Sequence, residues 1–546
     1  MNSPRPEPTE AAQYQHYPKW TPWAGAGLSI LVLSIGIAWV STSMAGIYGW
    51  TSFLVILLVG SGILFGSWWL LKKEGPPRWL GMLLIGALLL RIFAGVFWQY
   101  ILPIWGHGTP AEKAGYVMAD AGARDQAAWK LAQSGKPLWS AFQDNRKVDQ
   151  YGGLLFMSAL VYRYLGGNFH QPIMTVLIVA IFETLAVLFT WAFARLAWGE
   201  KEAKIAAWVI ALYPEAILLG SSQMREAFSM TFTMIAFYGL LRYRRDHSYT
   251  SLMWILAPLL LSLPFSPPFA ALLLGMLIFM EVATRFTSPK NIFHQRSFWI
   301  VMGFLLVLVL TGLYVSLKQF TPEDIRNPIA MLGWWFRKSG QLQAYLSRHA
   351  SGWLQKIFKA SPEWTHLPIL IGYGVMQPFL PAAIVVGSQS PIWRMISICR
   401  AVGWTFMLIF MIYGPILSMR KKDDQGFTKM LCLIVWVVIL VASFRGGGDM
   451  WDNPRYRAAT AGLQAALVGW AWVEHRRAND PWLRRALISA SAVFAWFLPW
   501  YLRRYTSFTW PVVDLFKTLG LGFATALLLG IWDWARVKQG NRCAKE

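Results

Sequence analysis

The feature that most restricts the fold of this chain is a series of apolar blocks. Each is about 20 residues long, the length that an α-helix needs to cross the hydrocarbon of a bilayer. Hydrophobic residues make up 56% of the chain and charged residues only 14%, a balance that leaves too little charge for the surface of a soluble domain. A membrane β-barrel would show short alternating strands instead. The sequence therefore predicts an all-α protein that crosses the membrane many times.

The blocks predict about fourteen transmembrane helices. The first block lacks the small-residue cleavage site of a signal peptide, so we interpret it as a retained helix that follows a disordered cytoplasmic tail over residues 1–22. The predicted cores are residues 23–46, 51–71, 80–104, 171–194, 204–221, 224–242, 249–265, 267–284, 298–317, 401–418, 427–444, 456–473, 485–502 and 511–533.

The basic residues between the blocks predict the orientation of the chain. If both termini are cytoplasmic, strong basic clusters such as 72–78, 242–245 and 420–422 fall on the cytoplasmic side, and Arg503-Arg504 is an exception. This pattern also explains the net charge of +23 without a nucleic-acid partner, which we do not expect. Three longer segments then face the outside of a cell membrane, namely residues 106–170, 318–400 and 444–457.

Parts of these outside segments are apolar without being suitable spans. Residues 151–167 are too short to cross and predict a helix that lies in the membrane interface. Residues 334–359 predict a basic amphipathic helix on the membrane surface. Residues 367–386 are interrupted by glycines and Pro378, so we expect a re-entrant or interfacial segment there and not a complete crossing.

Acidic and basic side chains occur together at the outer ends of the helices, which is where we expect a functional site. The candidates are Asp120, Asp125, Arg225, Glu226, Arg455, Tyr456 and Arg457. Each also has an ordinary structural explanation. Aspartate is common at helix N-caps, which would explain Asp120. Asp125 and Arg225-Glu226 would also fit as solvated surface charges. Residues 455–457 would fit as an anchor in the membrane interface. Within the spans, Glu215 is expected to hydrogen-bond a neighbouring helix.

The order of several short motifs resembles the GT-C type membrane glycosyltransferases, including relatives of the protein mannosyltransferases and aminoarabinose transferases. A helix with Arg91 in "LLLRIFAG" is followed by an outside segment with Asp120, Ala128, Leu131 and Gly135. Next come a short apolar helix ending in "LGG", the stretch "ALYPEAILLGSSQMREAFSMTF" and, near the end, "NPRYRAATAGLQAALVGW".

The resemblance covers roughly residues 80–475 and has two departures. Arg124 stands where the family has an aromatic residue, and the spacing to the glycine is longer by one. Asp125 can also be aligned with the family acid, because Asp125-Gln126 is similar to the family's Asp-Glu pair. The sequence thus leaves Asp120 and Asp125 as candidates for the family acid. The spacing between Asp120 and Ala128 favours Asp120.

The resemblance implies an enzyme that moves a sugar from a polyprenyl-phosphate donor to a lipid, glycan or protein acceptor on the extracytoplasmic face. Such a reaction needs a carboxylate base for the acceptor, here Asp120 or Asp125. It also needs cations for the leaving phosphate, for which Arg225, Arg455 and Arg457 are the candidates. Some relatives place Mg²⁺ or Mn²⁺ beside the acid and others use only cationic side chains. This chain has no dedicated metal-ligand spacing.

These inferences divide the chain into a tail (1–22), two extra helices (23–79), a catalytic module (80–475) and C-terminal helices with a basic tail (476–546). Two other function classes remain as alternatives. A transporter or flippase of a lipid-linked or polar substrate would use ionisable residues within the membrane, and Arg91, Glu183 and Glu215 are the clearest of these. A non-catalytic membrane scaffold would need none of the outside acids.

Overall fold

In a computed structural model of the chain, every regular element among the described residues is a helix. The structure describes residues 21–41, 49–143, 148–286, 296–325, 327–348, 352–386, 388, 390–421, 426–446, 453–478 and 480–543. Of the tail predicted over residues 1–22, residues 1–20 lie outside these ranges.

The helices follow one another with short connections. The first half contains α1 (Thr21–Ser41), α2 (Trp50–Leu70), α3 (Arg78–Trp105), α4 (Pro110–Lys113), α5 (Ala119–Gln133), α6 (Gly153–Leu165), α7 (Ile173–Ala197), α8 (Glu200–Leu212), α9 (Pro214–Gly220), α10 (Arg225–Asp246), α11 (Tyr249–Phe265) and α12 (Pro267–Phe286). The second half contains α13 (Arg296–Lys318), α14 (Pro328–Arg348), α15 (Gly352–Ala360), α16 (Glu363–Met376), α17 (Leu380–Val385), α18 (Pro391–Arg420), α19 (Phe427–Gly446), α20 (Asn453–Arg457), α21 (Ala461–Ala478), α22 (Trp482–Tyr505) and α23 (Leu515–Cys543). Single 3-10 turns occur at Lys72–Glu74, Leu138–Phe142 and Ala458–Thr460.

The apolar helices confirm an all-α, multi-pass membrane protein. In the described ranges, nine helices are long and apolar enough to cross a bilayer, or ten if the bent pair α8–α9 is one span. The nine are α2, α3, α7, α12, α13, α18, α19, α22 and α23. This number is below the predicted fourteen. The helices α10 and α21, which we predicted as spans, are enclosed by other helices over most of their length, so their residues need not be as apolar as a surface that faces lipid.

The predicted span over residues 204–221 is broken into two helices. The axes of α8 and α9 differ by 56° where Tyr213 meets Pro214. Pro214 occupies the start of α9, where its missing N–H costs no hydrogen bond. Its ring packs on α18 so closely that a Cβ added at Gly403 would lie 2.5 Å from it. The break directs the end of α9 toward the start of α10.

The core of the bundle is built around α7, of which 89% of the apolar window is buried. The helix α21 packs against α8 with very little space between the backbones. A Cβ added at Gly469 would lie 2.4 Å from the carbonyl oxygen of Glu202, so glycine is required at this crossing. Close approach at small residues is the usual way in which membrane helices gain van der Waals contact.

Two ion pairs compensate the charges buried between these helices. Arg91 on α3 pairs with Glu183 on α7, and both side chains are fully buried. The Arg91 Nη1 group also donates to the carbonyl oxygens of Ala87 and Ala211, at 3.0 and 3.3 Å. Arg400 on α18 donates to both oxygens of Glu215 on α9, at 2.6 and 2.9 Å. The prediction that Glu215 bonds to a neighbouring helix is therefore confirmed.

The segments predicted to face outside contain short helices. The helix α6 has 13 residues and packs on α5, so the apolar stretch 151–167 is helical without being long enough to span. The stretch 367–386 is divided between α16 and α17, and neither helix is long enough by itself to span a bilayer. The predicted amphipathic helix over 334–359 is described as two helices, α14 and α15.

We expect the protein to lose more stability when only one residue of the Arg91–Glu183 pair is replaced than when both are replaced. Arg91→Met should lower the free energy of unfolding by about 3–5 kcal/mol, because it leaves the buried carboxylate of Glu183 without its cation. The double variant Arg91→Met/Glu183→Leu should regain most of this loss. Thermal unfolding of the purified protein in detergent measures both effects, and a double variant as unstable as Arg91→Met would contradict the explanation.

Candidate functional site

The candidate site is arranged around α5, which carries both candidate aspartates. The helix begins at Ala119, and Met118 is its N-cap residue. The interpretation of Asp120 as an N-cap is therefore wrong: Asp120 lies inside the first turn. A carboxylate in the first turn interacts favourably with the positive end of the helix dipole. The side chain of Asp120 keeps 42% of its surface exposed, so it remains accessible to a substrate.

Three helices that are distant in sequence meet at Asp120. Arg455 on α20 donates through Nη1 to Asp120 Oδ2, over 3.0 Å. The Nε atom of the same guanidinium lies 3.9 Å from Oε1 of Glu226, in the first turn of α10. The other oxygen of Glu226, Oε2, is buried and has no hydrogen-bond partner among the described residues. The structure thus brings together Asp120, Glu226 and Arg455, all of which the sequence singled out.

The charges around Asp120 determine its protonation state. Partial burial alone would raise the pKa of the Asp120 carboxyl, but the positive charges of Arg455 and Arg124, together with the hydrogen bond from Arg455, lower it below its usual value. The group is therefore ionised at neutral pH. A carboxylate that has lost its proton can accept one from a substrate, which is the property required of a general base.

The remaining basic candidates do not all point to Asp120. The Arg225 guanidinium lies 5.0 Å from the ring centre of Tyr151 and its Nη2 is 3.5 Å from Gln150 Oε1, at the segment before α6. The ring centre of Tyr456 lies 4.8 Å from the guanidinium of Arg445 and 5.3 Å from that of Arg455. Tyr456 thus packs beside both cations.

Arg457 faces the opposite side of α20 and is buried. It donates through Nη2 to the carbonyl oxygen of Gln377, over 2.6 Å, and its guanidinium lies 3.3 Å from the ring centre of Trp404. These contacts join α20 to the break between α16 and α17 and to α18. Arg455 and Arg457 are two residues apart on a helix and therefore point in different directions.

Asp125 is fully buried in a cluster of hydrogen-bond donors. Tyr116 and Tyr162 each donate a phenol proton to it over 2.5 Å, and His170 Nε2 lies 2.7 Å from Oδ2. Burial, followed by the negative charge of Asp125, raises the pKa values of Tyr116 and Tyr162, so both phenols stay protonated and act as donors. The cluster joins α5 to α6 and to the segment before α7, which holds the helix in position.

Two residues of this region were not recognised as part of it from the sequence. Arg124 is buried, donates to the carbonyl oxygen of Gln223 over 2.8 Å and lies 3.7 Å from Asp149. Its spacing of four from Asp120 was the available signal, because residues i and i+4 share a helix face. His170 lies in the connection before α7, and its ring contacts Asp125. Nothing in the local sequence indicates this contact.

The described residues do not fit a divalent cation. They contain no group of three or more His, Cys, Asp or Glu side chains close enough to hold one. Asp120 and Glu226 are the nearest approach to such a group, and the guanidinium of Arg455 lies between them and already compensates their charge. Asp449 and Asp452, which also belong to the third outside segment, lie outside the described residues.

Comparison with known proteins gave only distant similarity. No family model and no curated protein sequence matches the chain. Among solved structures, it is similar to the archaeal oligosaccharyltransferase AglB from Archaeoglobus fulgidus in complex with an inhibitory peptide and a dolichol-phosphate, at 11% identity and a TM-score of 0.39 over 85% of this chain and 56% of that one. A structure of the A. fulgidus oligosaccharyltransferase tethered to an acceptor peptide gives 13% identity and a TM-score of 0.40 over 83% and 55%. The chain thus spans about half the length of these proteins.

The two aspartates of α5 should differ sharply in their effect on stability. Asp125→Asn should lower the free energy of unfolding by about 2–3 kcal/mol, because an amide NH₂ group then faces buried donors that need an acceptor. Asp120→Asn, the matched variant on the same helix, should change it by at most about 1 kcal/mol because its ion pair is partly exposed. Thermal unfolding in detergent compares them, and equal losses would contradict this assignment.

Proposed function

We propose that this protein is a membrane glycosyltransferase that moves a sugar from a polyprenyl-phosphate donor to an acceptor hydroxyl or amide on the extracytoplasmic face. The observation that carries the proposal is the contact of Arg455 with Asp120 and Glu226. It puts an accessible ionised carboxylate next to a cation, in segments that the sequence predicts to face outside. The resemblance of the sequence to GT-C type enzymes supports the same reaction class.

In the proposed reaction, Asp120 removes the proton of the acceptor as its oxygen or nitrogen attacks the anomeric carbon of the sugar. A bond forms between the acceptor and this carbon while the bond from the carbon to the phosphate oxygen breaks. The phosphate leaves with the electron pair and stays attached to the lipid. Arg455 compensates the negative charge that develops on the leaving group.

The shared position of Arg455 suggests how the base is activated. While Arg455 contacts Asp120, it lowers the pKa of the carboxyl and makes it a weak base. When the donor phosphate binds Arg455, part of this stabilisation is withdrawn from Asp120. Partial burial then raises its pKa and strengthens it as a base. Glu226, with one buried oxygen unpartnered among the described residues, keeps the guanidinium in place during this exchange.

The other candidates take supporting roles in this proposal. Tyr456 packs against Arg455 and limits the directions in which it can point. Arg225 provides a second cation near Tyr151 for the donor phosphate. For Arg457, which the sequence suggested as a phosphate ligand, the bond to Gln377 and the contact with Trp404 favour a positioning role that fixes α20. Asp125 likewise positions α5 instead of reacting.

Donor binding is measured first, by the thermal stability of the purified protein with a panel of polyprenyl-phosphate sugars, because a ligand that binds only the native state stabilises it. The donor so identified is then used in a transfer assay. Asp120→Asn should lower the rate by about 10²–10⁴-fold, the usual contribution of a general base. The matched control is Asp246→Asn, because Asp246 also pairs with an arginine, Arg242 at 3.5 Å, but at the other end of α10.

A rate for Asp120→Asn that equals that of Asp246→Asn would exclude Asp120 as the base. Movement of the intact sugar lipid across a vesicle membrane, with no bond broken, would instead support the transporter alternative. The ionisable residues that this alternative would use are paired in the structure, Arg91 with Glu183 and Glu215 with Arg400.

The acid limb of the pH–rate profile should report the contact between Arg455 and Asp120. With its pKa lowered, Asp120 stays ionised until the pH falls below the usual range of an aspartate, so kcat/KM of the native protein should not decline between pH 7 and 5 through this group. In Arg455→Gln the pKa should rise, because burial then acts with less opposition. The acid limb should therefore move to higher pH, and an unchanged limb would argue against the coupling.

A further inference from the structure

The helix α14 carries an apolar stripe that stays exposed in the described part of the chain. Ile329, Leu332 and Phe336 follow one another at intervals of three and four residues, which places them on one face of the helix. Their exposed fractions are 78%, 49% and 77%. Single exposed apolar side chains are ordinary on a protein surface, but three on one stripe form a face that favours an apolar environment.

Cationic side chains occupy the other side of the same helix. Arg337, Lys338 and Arg348 are all exposed. With 3.6 residues in each turn, they lie about 105–155° around the helix axis from the centre of the apolar stripe. A helix with one apolar face and one cationic face is typical of helices that lie in the interface of a bilayer.

The charges of this segment all have the same sign. Residues 325–362 contain no aspartate or glutamate. Their cationic residues are Arg326, Arg337, Lys338, Arg348, Lys356 and Lys359. Because the segment contains no carboxylate that could compensate these charges, charge complementarity favours an anionic partner.

A hydrogen bond attaches α14 to the end of a membrane-spanning helix. Residues Phe298–Lys318 of α13 are apolar enough to cross a bilayer. Thr321 follows three residues after this span, and its Oγ1 accepts a hydrogen bond of 3.1 Å from Nε1 of Trp335 in α14. The indole of a tryptophan is also favoured at the level where a span leaves the hydrocarbon. The surface of the bilayer is therefore within reach of α14.

The next helix, α15, differs from α14 because its apolar face is already covered. Leu354 and Phe358 pack with Leu370 of α16, and their exposed fractions are only 0% and 7%. Lys356 and Lys359 remain exposed. The helix α15 thus extends the positive charge of the segment, whereas the exposed apolar stripe belongs to α14.

We propose that α14 is a docking surface for a bilayer that contains anionic phospholipids. The stripe of Ile329, Leu332 and Phe336 enters the boundary between headgroups and acyl chains, and Arg337 and Lys338 contact the lipid phosphates. The sequence predicts only a membrane-surface helix over residues 334–359, whereas the structure limits the docking face to α14 and the charge selects the lipid. The proposal is independent of the transferase reaction, because none of the candidate site residues takes part in it.

The first test measures where the stripe lies relative to the bilayer. A spin label is attached at Leu332→Cys, with the native cysteines replaced by alanine, and the full chain is placed in nanodiscs of phosphatidylcholine and phosphatidylglycerol. The label should be accessible to oxygen, which dissolves among the acyl chains, and protected from a water-soluble nickel complex. A label at Gln341→Cys, exposed on the opposite face of α14, is the matched control and should show the reverse.

A second substitution tests the face of the helix that docks. Phe336→Asp places a charge on the stripe and should make the Leu332 label accessible to the nickel complex, because a carboxylate is costly among acyl chains. Gln341→Asp adds the same charge to the opposite face and should leave the label protected. A Leu332 label that is as accessible to nickel as the Gln341 label in the unaltered helix would overturn the docking.

The third test measures the preference for anionic lipid. A fluorophore at Leu332→Cys should be quenched at least about threefold more by brominated phosphatidylglycerol than by brominated phosphatidylcholine at equal mole fraction, because each nearby cation attracts the anionic headgroup. Arg337→Gln/Lys338→Gln should remove most of this preference. So should about 1 M salt, at which the Debye length is only about 3 Å. The matched control Lys72→Gln/Lys73→Gln, an exposed lysine pair after α2, should keep it.

Two outcomes of the quenching experiment would overturn the assignment of anionic lipid to α14. They are equal quenching by the two brominated lipids and a preference that survives in Arg337→Gln/Lys338→Gln. A soluble acidic polymer, poly-glutamate, tests the other class of partner. If it protects the Leu332 label from nickel in discs where phosphatidylglycerol gives no protection, the surface binds an acidic macromolecule and the proposal is wrong.

Discussion

The arrangement of this bundle depends on the compensation of charge between helices that have no water around them. A charged side chain in a membrane-spanning region is costly unless it finds a partner. Arg91 therefore requires Glu183, which joins α3 to α7, and Glu215 requires Arg400, which joins α9 to α18. These two pairs connect helices of the core, whereas the candidate site lies on α5, α10 and α20.

The short helix α5 is held to its surroundings at two places. One face is bonded to its surroundings through Asp125, and its last turn is bonded through Arg163. Asp120 and Asp125 are five residues apart, which places them about 140° apart around the helix axis. One carboxylate can thus be buried and fully bonded while the other stays accessible beside Arg455. This division agrees with the preference of the sequence spacing for Asp120.

The charge balance around Arg455 gives the site its chemical character. A single guanidinium contacts two carboxylates, and the nearest further cation, Arg124, is fixed by the carbonyl of Gln223. Arg455 is therefore the cation at this site that contacts an accessible carboxylate, that of Asp120. In the proposed reaction, a donor phosphate exchanges with Asp120 at this guanidinium, which would couple donor binding to the strength of the base.

Local patterns in the sequence determined much of this protein. Blocks of about 20 apolar residues specified helices that cross a membrane. Glycines and Pro378 specified the break between α16 and α17. The charged residues at the helix ends predicted a site, and Asp120, Glu226 and Arg455 among them are in contact. Nine described helices are apolar enough to span a bilayer by themselves, and enclosed helices such as α10, which the sequence also predicted as spans, need not be uniformly apolar. The N-cap of α5 also differed from the residue that the sequence suggested, because Met118 and not Asp120 occupies it.

Only the tertiary structure decided which of these charges meet. Arg455 and Arg457 have the same residue type and neighbouring positions, yet one contacts Asp120 and the other packs on Trp404. His170 looks like an ordinary loop residue, yet it contacts Asp125. Sequence periodicity shows which face of a helix a residue occupies, whereas its partner depends on how separate helices cross. Those crossings are set by close packing at positions such as Gly469 and by paired charges, which are interactions between residues far apart in the chain.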